Sequence, residues 1–364
     1  MKSAPGVSVG DLVYCPNRMR PVRHGKGMAA MDSTRFKAFL VEKAGEKEFT
    51  RKIVERSIGD LPAGDLVVRV RYSSLNYKDA LSATGHPGVT RTFPHTPGID
   101  AAGEVAASAS GAFRPGDRVL VTGYDLGMNT AGGYGGYIRI PSSWAIPLPE
   151  GLTLRECMAL GTAGLTAGLS VLKLTNAGIR PEDGEVLVTG STGGVGSLAV
   201  GILAKAGYRV IAATGKSADA WFLRDLGAAD VIDRGQVTAG AERPMMKERW
   251  AGAVDVVGGG TLAAAVKSVR YGGVITCCGL VGSAELPLTV YPFIMRGVSL
   301  LGIDSALCPI DLRRQVWQRL AGEWRIDRID SLVTEVGLEG VEEKIQAILR
   351  GGIRGRVVVN LRGN

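Results

Sequence analysis

The chain has 364 residues, 45% hydrophobic and 21% charged, with 52 glycines. That composition excludes a disordered or coiled-coil chain and gives length for two domains, each with its own core. The net charge of +8 comes from Lys and Arg residues that are scattered and carry no helix-turn-helix or RNA-binding signature, so a phosphate-bearing small molecule fits it better than nucleic acid.

Residues 1–34 show no hydrophobic period and no apolar core of a secretory signal; they are read as a disordered arm outside the fold. From Phe36 the chain turns to short strands: 37–42, 66–72, 103–106, 117–122 and 136–140, with Pro62-Ala-Gly-Asp65 as punctuation. This predicts a β-rich first domain. Residues 153–176 change to helical spacing through Leu154, Met158, Leu165, Leu169 and Leu172, and are read as a bridge.

The stretch from Val186 to Gly201 carries the clearest chemistry. An apolar strand, Glu185-Val-Leu-Val-Thr189, breaks into Gly190-Ser191-Thr192-Gly193-Gly194-Val195-Gly196 and runs into the apolar positions Leu198, Ile202 and Leu203. Strand, glycine turn and helix together form a variant of the dinucleotide fingerprint, in which glycines admit a pyrophosphate to the backbone and to helix N-terminal amides. Further strands at 208–213, 229–232, 253–257, 273–278 and 298–302 alternate with helices such as 217–226 and 260–270, predicting a doubly wound parallel sheet. An amphipathic helix around Leu312, Val316 and Leu320, another at 339–350 and a strand at 355–361 return to the first domain.

The expected organisation is therefore an α/β chain: an arm at 1–34, a β-rich domain over 35–165 completed by 310–364, and a nucleotide domain over 166–309. Five scattered cysteines, Cys15, Cys157, Cys277, Cys278 and Cys308, suggest neither a disulfide framework nor a zinc knuckle. No segment reads as a membrane span, and a cytoplasmic protein is expected.

NAD-binding sheets place an acidic residue at the end of the second strand to accept hydrogen bonds from the ribose hydroxyls. Here that strand ends in Thr214-Gly215-Lys216-Ser217. Lys216 and Ser217 suit a 2′-phosphate, with Arg234 beyond the third strand as a further candidate, so NADPH is expected over NADH.

Six ordered segments carry a family resemblance: Ser73-Ser-Leu-Asn-Tyr-Lys-Asp-Ala80, Pro97-Gly-Ile-Asp-Ala-Ala-Gly103, Gly161-Thr-Ala-Gly-Leu-Thr-Ala167, Val188–Gly196, Trp250–Asp255 and Gly302-Ile-Asp-Ser305. Together they resemble the zinc-independent medium-chain dehydrogenase/reductases, in the acrylyl-CoA reductase and quinone oxidoreductase group. The resemblance implies a GroES-like catalytic domain plus a Rossmann domain, and a homodimer paired near 286–303. It adds Thr166, Cys278, Gly279 and Ser305 to the cofactor residues. Zinc relatives carry a Cys and a His-Glu pair where this chain has Asn76, Ile99 and Asp100, so no metal is expected.

The chemistry the resemblance implies is hydride addition to a carbon–carbon double bond conjugated to a carbonyl. Oxyanion donors must then stabilise the enolate. Asn76, Tyr77 and Asp79, in a turn after the strand 66–72 that the resemblance places beneath the nicotinamide, are the catalytic candidates, Tyr77 as donor or cofactor contact, Asn76 as orienting group and Asp79 as support for Tyr77, Lys78 or a water. His86 and His95 are expected as loop histidines, and Arg91, Arg313 and Arg314 are candidates for CoA phosphates. The acceptor is expected to be an enoyl-CoA, with a quinone or enone as the alternative and a non-catalytic nucleotide-binding protein as the second.

Overall fold

The structure, a computed structural model, describes Met28 and residues 30–363. Contacts divide the chain into two compact units: Leu148–Thr334 with Ile353–Val357 form one, and the described residues up to Pro147, with Glu335–Gly352 and those from Val358 on, form the other.

The first unit opens with β1 (Arg35–Lys43) and β2 (Phe49–Ser57), an antiparallel pair in register from Arg35↔Ser57 to Lys43↔Phe49. Strand β2 gave no signal in the sequence because Phe-Thr-Arg-Lys-Ile-Val-Glu-Arg-Ser buries neither face and so lacks alternation. Next come β3 (Leu66–Leu75), α1 (Tyr77–Ala83), β4 (Asp100–Ser108), β5 (Arg118–Thr122), β6 (Tyr137–Ile140) and β7 (Ile146–Pro147). Helix α1 replaces the expected turn after β3. Asn76 is its N-cap, and the Asp79 carboxylate reaches back to the Asn76 N–H at 2.8 Å, a capping box that starts a helix only seven residues long.

The second unit begins with α2 (Leu154–Asn176), capped by Thr153 and Glu156. This helix corrects the membrane reading, since it is long and apolar enough to cross a bilayer, yet 89% of that window is buried within the protein. It kinks at Gly161 (φ 54°, ψ −154°), a conformation that only glycine adopts cheaply. There follow β8 (Glu185–Val188), α3 (Gly194–Lys205), β9 (Arg209–Thr214), α4 (Ala220–Asp225), β10 (Asp230–Asp233), α5 (Arg234–Thr238), β11 (Trp250–Asp255), α6 (Gly259–Ser268), β12 (Val269–Cys277), α7 (Tyr291–Arg296), β13 (Ser299–Gly302) and α8 (Ile310–Ala321). The six strands are parallel in the order β10-β9-β8-β11-β12-β13. That is the Rossmann order, with its topological switch point between β8 and β11. The core against the sheet holds Leu187, Ile211, Trp250, Leu262, Val266 and Ile275.

The tail adds β14 (Val333–Val336), α9 (Val341–Leu349) and β15 (Arg356–Asn360). A seven-stranded sheet runs β14-β15-β3-β4-β5-β7, with β6 paired to β3. Helix α9 packs on α1, and its Glu342 takes an ion pair from Arg51 at 2.7 Å.

Three expectations shift. The boundaries expected at 165/166 and 309/310 cut through the second unit, because α2 and α8 interlock: a Cβ on Gly168 would lie 2.5 Å from Val316 Cγ1. Within the stretch 286–303 expected to pair, only β13 is sheet edge, and 286–290 lies outside any strand. The arm expected to end at 34 joins the fold sooner. Met28 is buried with Phe36, Ile58 and Val67, Gly59 N–H donates to Asp32 O at 2.9 Å, and the buried Arg139 pairs with Asp32 at 2.5 Å. Residues 1–27 lie outside the described residues.

Removing Asp32 strips a buried guanidinium of a charged acceptor, a loss of about 1–3 kcal/mol. Asp32→Ala should lower unfolding stability by that amount in a urea titration with an unchanged m-value.

Candidate functional site

In the second unit the backbone between β8 and α3 is shaped for close approach. Gly190 has φ +57°, and a Cβ on Gly196 would sit 2.4 Å from Gly190 O, so neither position accepts a side chain. Ser191 is fixed at both ends, N–H to Ala213 O (3.1 Å) and Oγ to Val188 O (2.7 Å). Thr192 Oγ1 lies 3.3 Å from Thr214 Oγ1. Gly193 is the N-cap of α3, with Gly194, Val195 and Gly196 in its first turn, whose amides have no acceptor within the helix. Their N–H groups and the helix dipole favour negative charge at this end.

Sequence reasoning missed a cation at this loop. Arg356 is buried, its Nε donates to Ala159 O at 3.0 Å, and its Nη1 lies 3.0 Å from where a Gly194 Cβ would stand. The only signal was Gly355-Arg356 at the head of a strand read as returning elsewhere.

The turn after β9 gathers positive charge. Lys216 N–H donates to Thr214 Oγ1 (3.0 Å), and Lys216 Nζ donates to Ile353 O (2.9 Å). Arg234, first residue of α5, lies over Gly215, where a Cβ would meet its Nε at 2.8 Å. Ser217 is exposed beside them. The nearby carboxylate, Asp219, is engaged by Arg354 at 2.8 Å. The expected group Thr214, Gly215, Lys216, Ser217 and Arg234 is therefore brought to one turn.

At the carboxyl ends of β12 and β13, Cys278 N–H donates to Asp255 O (3.1 Å), and Gly279 leaves no room for a Cβ, which would fall 2.0 Å from Val256 O. Thr166 Oγ1 donates to Thr162 O (2.7 Å) and stands 2.8 Å from Ser305 Oγ. A cavity of about 770 Å³ opens here, its wall including Lys173, Cys277, Cys278, Gly279, Ile303 and Leu312. Burial pushes the Cys278 thiol up to about 12, with the Asp255 charge adding to it.

Asp255 is the second residue that sequence reasoning passed over. Fully buried at the end of β11, it accepts from Thr189 Oγ1 (2.7 Å) at the end of β8, and from the N–H groups of Gly258 (2.7 Å) and Val257 (3.2 Å). It ties the two strands that flank the switch point. Desolvation holds its carboxyl above the usual range.

In the first unit, Tyr77 opens α1 and is 41% exposed, which suits a group that meets a ligand. Asn76 Nδ2 donates to Asp100 Oδ2 at 2.8 Å. Asp79 departs from its expected role. It is fully buried, and instead of supporting Tyr77, Lys78 or a water it binds the N–H groups of Asn76, Gly98 and Ile99. Burial, then the Asp100 charge, pushes its carboxyl up to about 7.

Two further expectations change. His95 is a core residue, with Nε2 at 2.8 Å from Gly127 O, and burial pushes it down to about 4. Arg313 is buried and its Nη2 donates to Ser305 O (3.1 Å) and Ala306 O (3.2 Å), so it does not face a CoA phosphate. His86, Arg91 and Arg314 are at the surface.

The chain matches the family model described as alcohol dehydrogenase GroES-like domain over residues 62–150, and that described as zinc-binding dehydrogenase over 194–322. It is 43% identical to the acrylyl-CoA reductase AcuI of Ruegeria pomeroyi, covering 90% of this chain and 99% of that one. Among solved structures, the yhdH oxidoreductase of Salmonella enterica in complex with NADP aligns with a TM-score of 0.86 at 42% identity, covering 89% and 99% of the two chains. The Bacillus subtilis protein yhfP with NAD bound aligns at 0.88 and 45%, covering 90% and 100%; its sequence carries a quinone-oxidoreductase name. The zinc in the second family description does not fit the residues here. Asn76 supplies an amide already committed to Asp100, and among the described residues no three His, Cys, Asp or Glu side chains converge.

Raised thiols are poor nucleophiles, since only the thiolate attacks. Cys278 and the buried Cys157, whose thiol is also pushed up by burial, should stay unmodified by N-ethylmaleimide at neutral pH in the native protein and react once it is denatured, read by peptide mass spectrometry.

Proposed function

We propose that this chain, which belongs to the medium-chain dehydrogenase/reductase superfamily and is an NADPH oxidoreductase, reduces the conjugated double bond of a short enoyl-CoA such as acrylyl-CoA. The observation that carries the cofactor half is the turn after β9, where Lys216, Ser217 and Arg234 meet and the adjacent Asp219 is neutralised by Arg354. A 2′-phosphate finds cations there, with Asp219 ion-paired to Arg354 and Asp233, level with Thr214, capping the Gly235 N–H.

The remaining residues divide the cofactor between them. The loop Gly190–Gly196 and the N-terminus of α3 take the pyrophosphate, with the Arg356 guanidinium beside Gly194 adding charge. Thr166, Cys278, Gly279 and Ser305 take the nicotinamide end. NADPH, when bound, supplies a hydride. Tyr77, exposed at the head of α1, donates to the acceptor's carbonyl oxygen as negative charge builds there, and Asn76, held by Asp100, fixes the local backbone. Without a metal to polarise a carbonyl, hydrogen-bond donors carry that stabilisation, which suits conjugate addition better than alcohol oxidation. The identity of the relative AcuI supports the thioester acceptor. The name borne by the Bacillus relative supports a quinone or enone as the second reading. We also assign the chain to the cytoplasm and to a homodimer built on the β13 edge, which the chain enters from α7, where Tyr291, Ile294 and Met295 are exposed with Val290 before them.

Turnover of acrylyl-CoA, free acrylate and a small quinone, each with NADPH and NADH, tests the acceptor. Acrylyl-CoA with NADPH should give the highest kcat/KM, and a quinone preference sinks the thioester reading. Tyr77→Phe should lower kcat about 10²–10³-fold if its hydroxyl serves the oxyanion. Lys216→Ala with Arg234→Ala should raise KM for NADPH tenfold or more, roughly the worth of one charge-assisted hydrogen bond, while leaving KM for NADH in place. Size-exclusion chromatography giving a monomer at micromolar concentration removes the dimer.

A further inference from the structure

Two carboxylates in the first unit meet at one amide. Asp79 on α1 and Asp100 on β4 are both fully buried. Asn76 Nδ2 lies 2.8 Å from Asp100 Oδ2 and 3.3 Å from Asp79 Oδ2. Asp79 also accepts from the N–H groups of Asn76 (2.8 Å), Ile99 (2.8 Å) and Gly98 (3.2 Å), and Asp100 Oδ2 accepts from Ser74 Oγ at 2.6 Å. From β3 the cluster meets Ser74, whose carbonyl receives the Tyr134 hydroxyl at 3.2 Å. Helix α1 itself adds Lys78, and α9, packed on α1, brings Glu342 already paired to Arg51. Asp100 is the charged group that acts on Asp79.

Two negative charges sharing one amide in a dry interior repel strongly. A proton on Asp79 removes the repulsion. Neither carboxylate reaches solvent, so neither touches a substrate. Both act on the residues where α1 begins, Asn76 as its N-cap and Tyr77 as its first residue.

We propose that Asp79 keeps a proton in the fold beside the Asp100 carboxylate, and that this proton positions Asn76 and Tyr77 for reaction, Asp100 being a positioning residue that works through Asn76. The inference rests on the reading of Tyr77 as the acceptor's hydrogen-bond donor. Losing the proton puts two charges on the one amide and loosens the start of α1.

The sign follows from Asp79, whose carboxyl ionises at about 7 in the fold against an ordinary value of 3.8. The unfolded chain releases that proton first, so the pair costs stability as pH rises between those values, and the cost is constant above them. Asp100→Asn keeps an oxygen facing Ser74 and Asn76 but removes the charge, letting Asp79 ionise alone.

The experiment follows the full chain over pH in two readouts. In wild type, kcat should fall above about pH 7 by up to about tenfold per pH unit while KM for NADPH holds; Asp100→Asn should abolish that fall and gain Tm relative to wild type as pH rises towards neutrality. A fall that persists in Asp100→Asn but disappears in Tyr77→Phe assigns the titration to the phenol and overturns the proposal, as does a Tm difference independent of pH. The Tm readout needs no acceptor, so it decides the Asp79 proton even if enoyl-CoA reduction is wrong. Should Asp100→Asn fail to fold, infrared difference spectra of wild type decide: a buried protonated carboxyl band present below neutrality must vanish above it, and its absence throughout refutes the proposal.

Discussion

From the carboxyl ends of parallel strands β8 and β11 the chain leaves to opposite sides of the sheet, towards β9 and β12, and a switch point of this kind works only if the two ends are held at a fixed spacing. The Asp255 carboxylate holds them. One oxygen takes the Thr189 hydroxyl across the gap, and the other takes the N–H groups of Val257 and Gly258 that begin the next turn. A buried anion satisfied by three donors is costly to displace in any direction. It fixes the exit of β8, and hence the glycine loop, relative to the exit of β11, from which Cys278 also hangs through Asp255 O.

The same economy appears in the first unit with another acid. Asp79 gathers the N–H groups of Asn76, Gly98 and Ile99, joining the start of a helix to the start of a strand that follows it by some twenty residues of chain. In both units a buried carboxylate organises backbone amides, and the groups left to meet ligands are neutral or cationic: Tyr77 in one, Lys216, Arg234 and Arg356 in the other. An anionic cofactor and an enolate-forming reaction both favour that distribution of charge.

Legibility in the sequence followed physical cause. The nucleotide unit was readable because its signals are local: a β-branched strand, glycines required by contacts within seven residues such as Gly190 with Gly196, and a helix of apolar period. The cluster at Lys216 was readable for the same reason. Strand β2 was not, since it buries no face. Asp79 was found but given the wrong neighbours, because its partners at 98 and 99 come from tertiary structure. Arg356 and Asp255 were missed as site residues, their importance lying in contacts to Ala159 and Thr189, far away in sequence. Helix α1 was read as a turn because seven residues are too few for a periodic pattern.

Residues 353–357 belong by contact to the nucleotide unit although the chain reaches them only after passing through the other one. Gly355 N–H bonds Thr192 O at 2.9 Å, Ile353 O receives the Lys216 ammonium, and Arg356 sits against Gly194. On a ribosome, the phosphate loop is thus synthesised some 160 residues before the strap that finishes it, a separation read from Thr192 and Gly355. The nucleotide unit is therefore complete only once residues 353–357 are in place, and it cannot be excised as a contiguous segment without leaving its own binding loop unfinished.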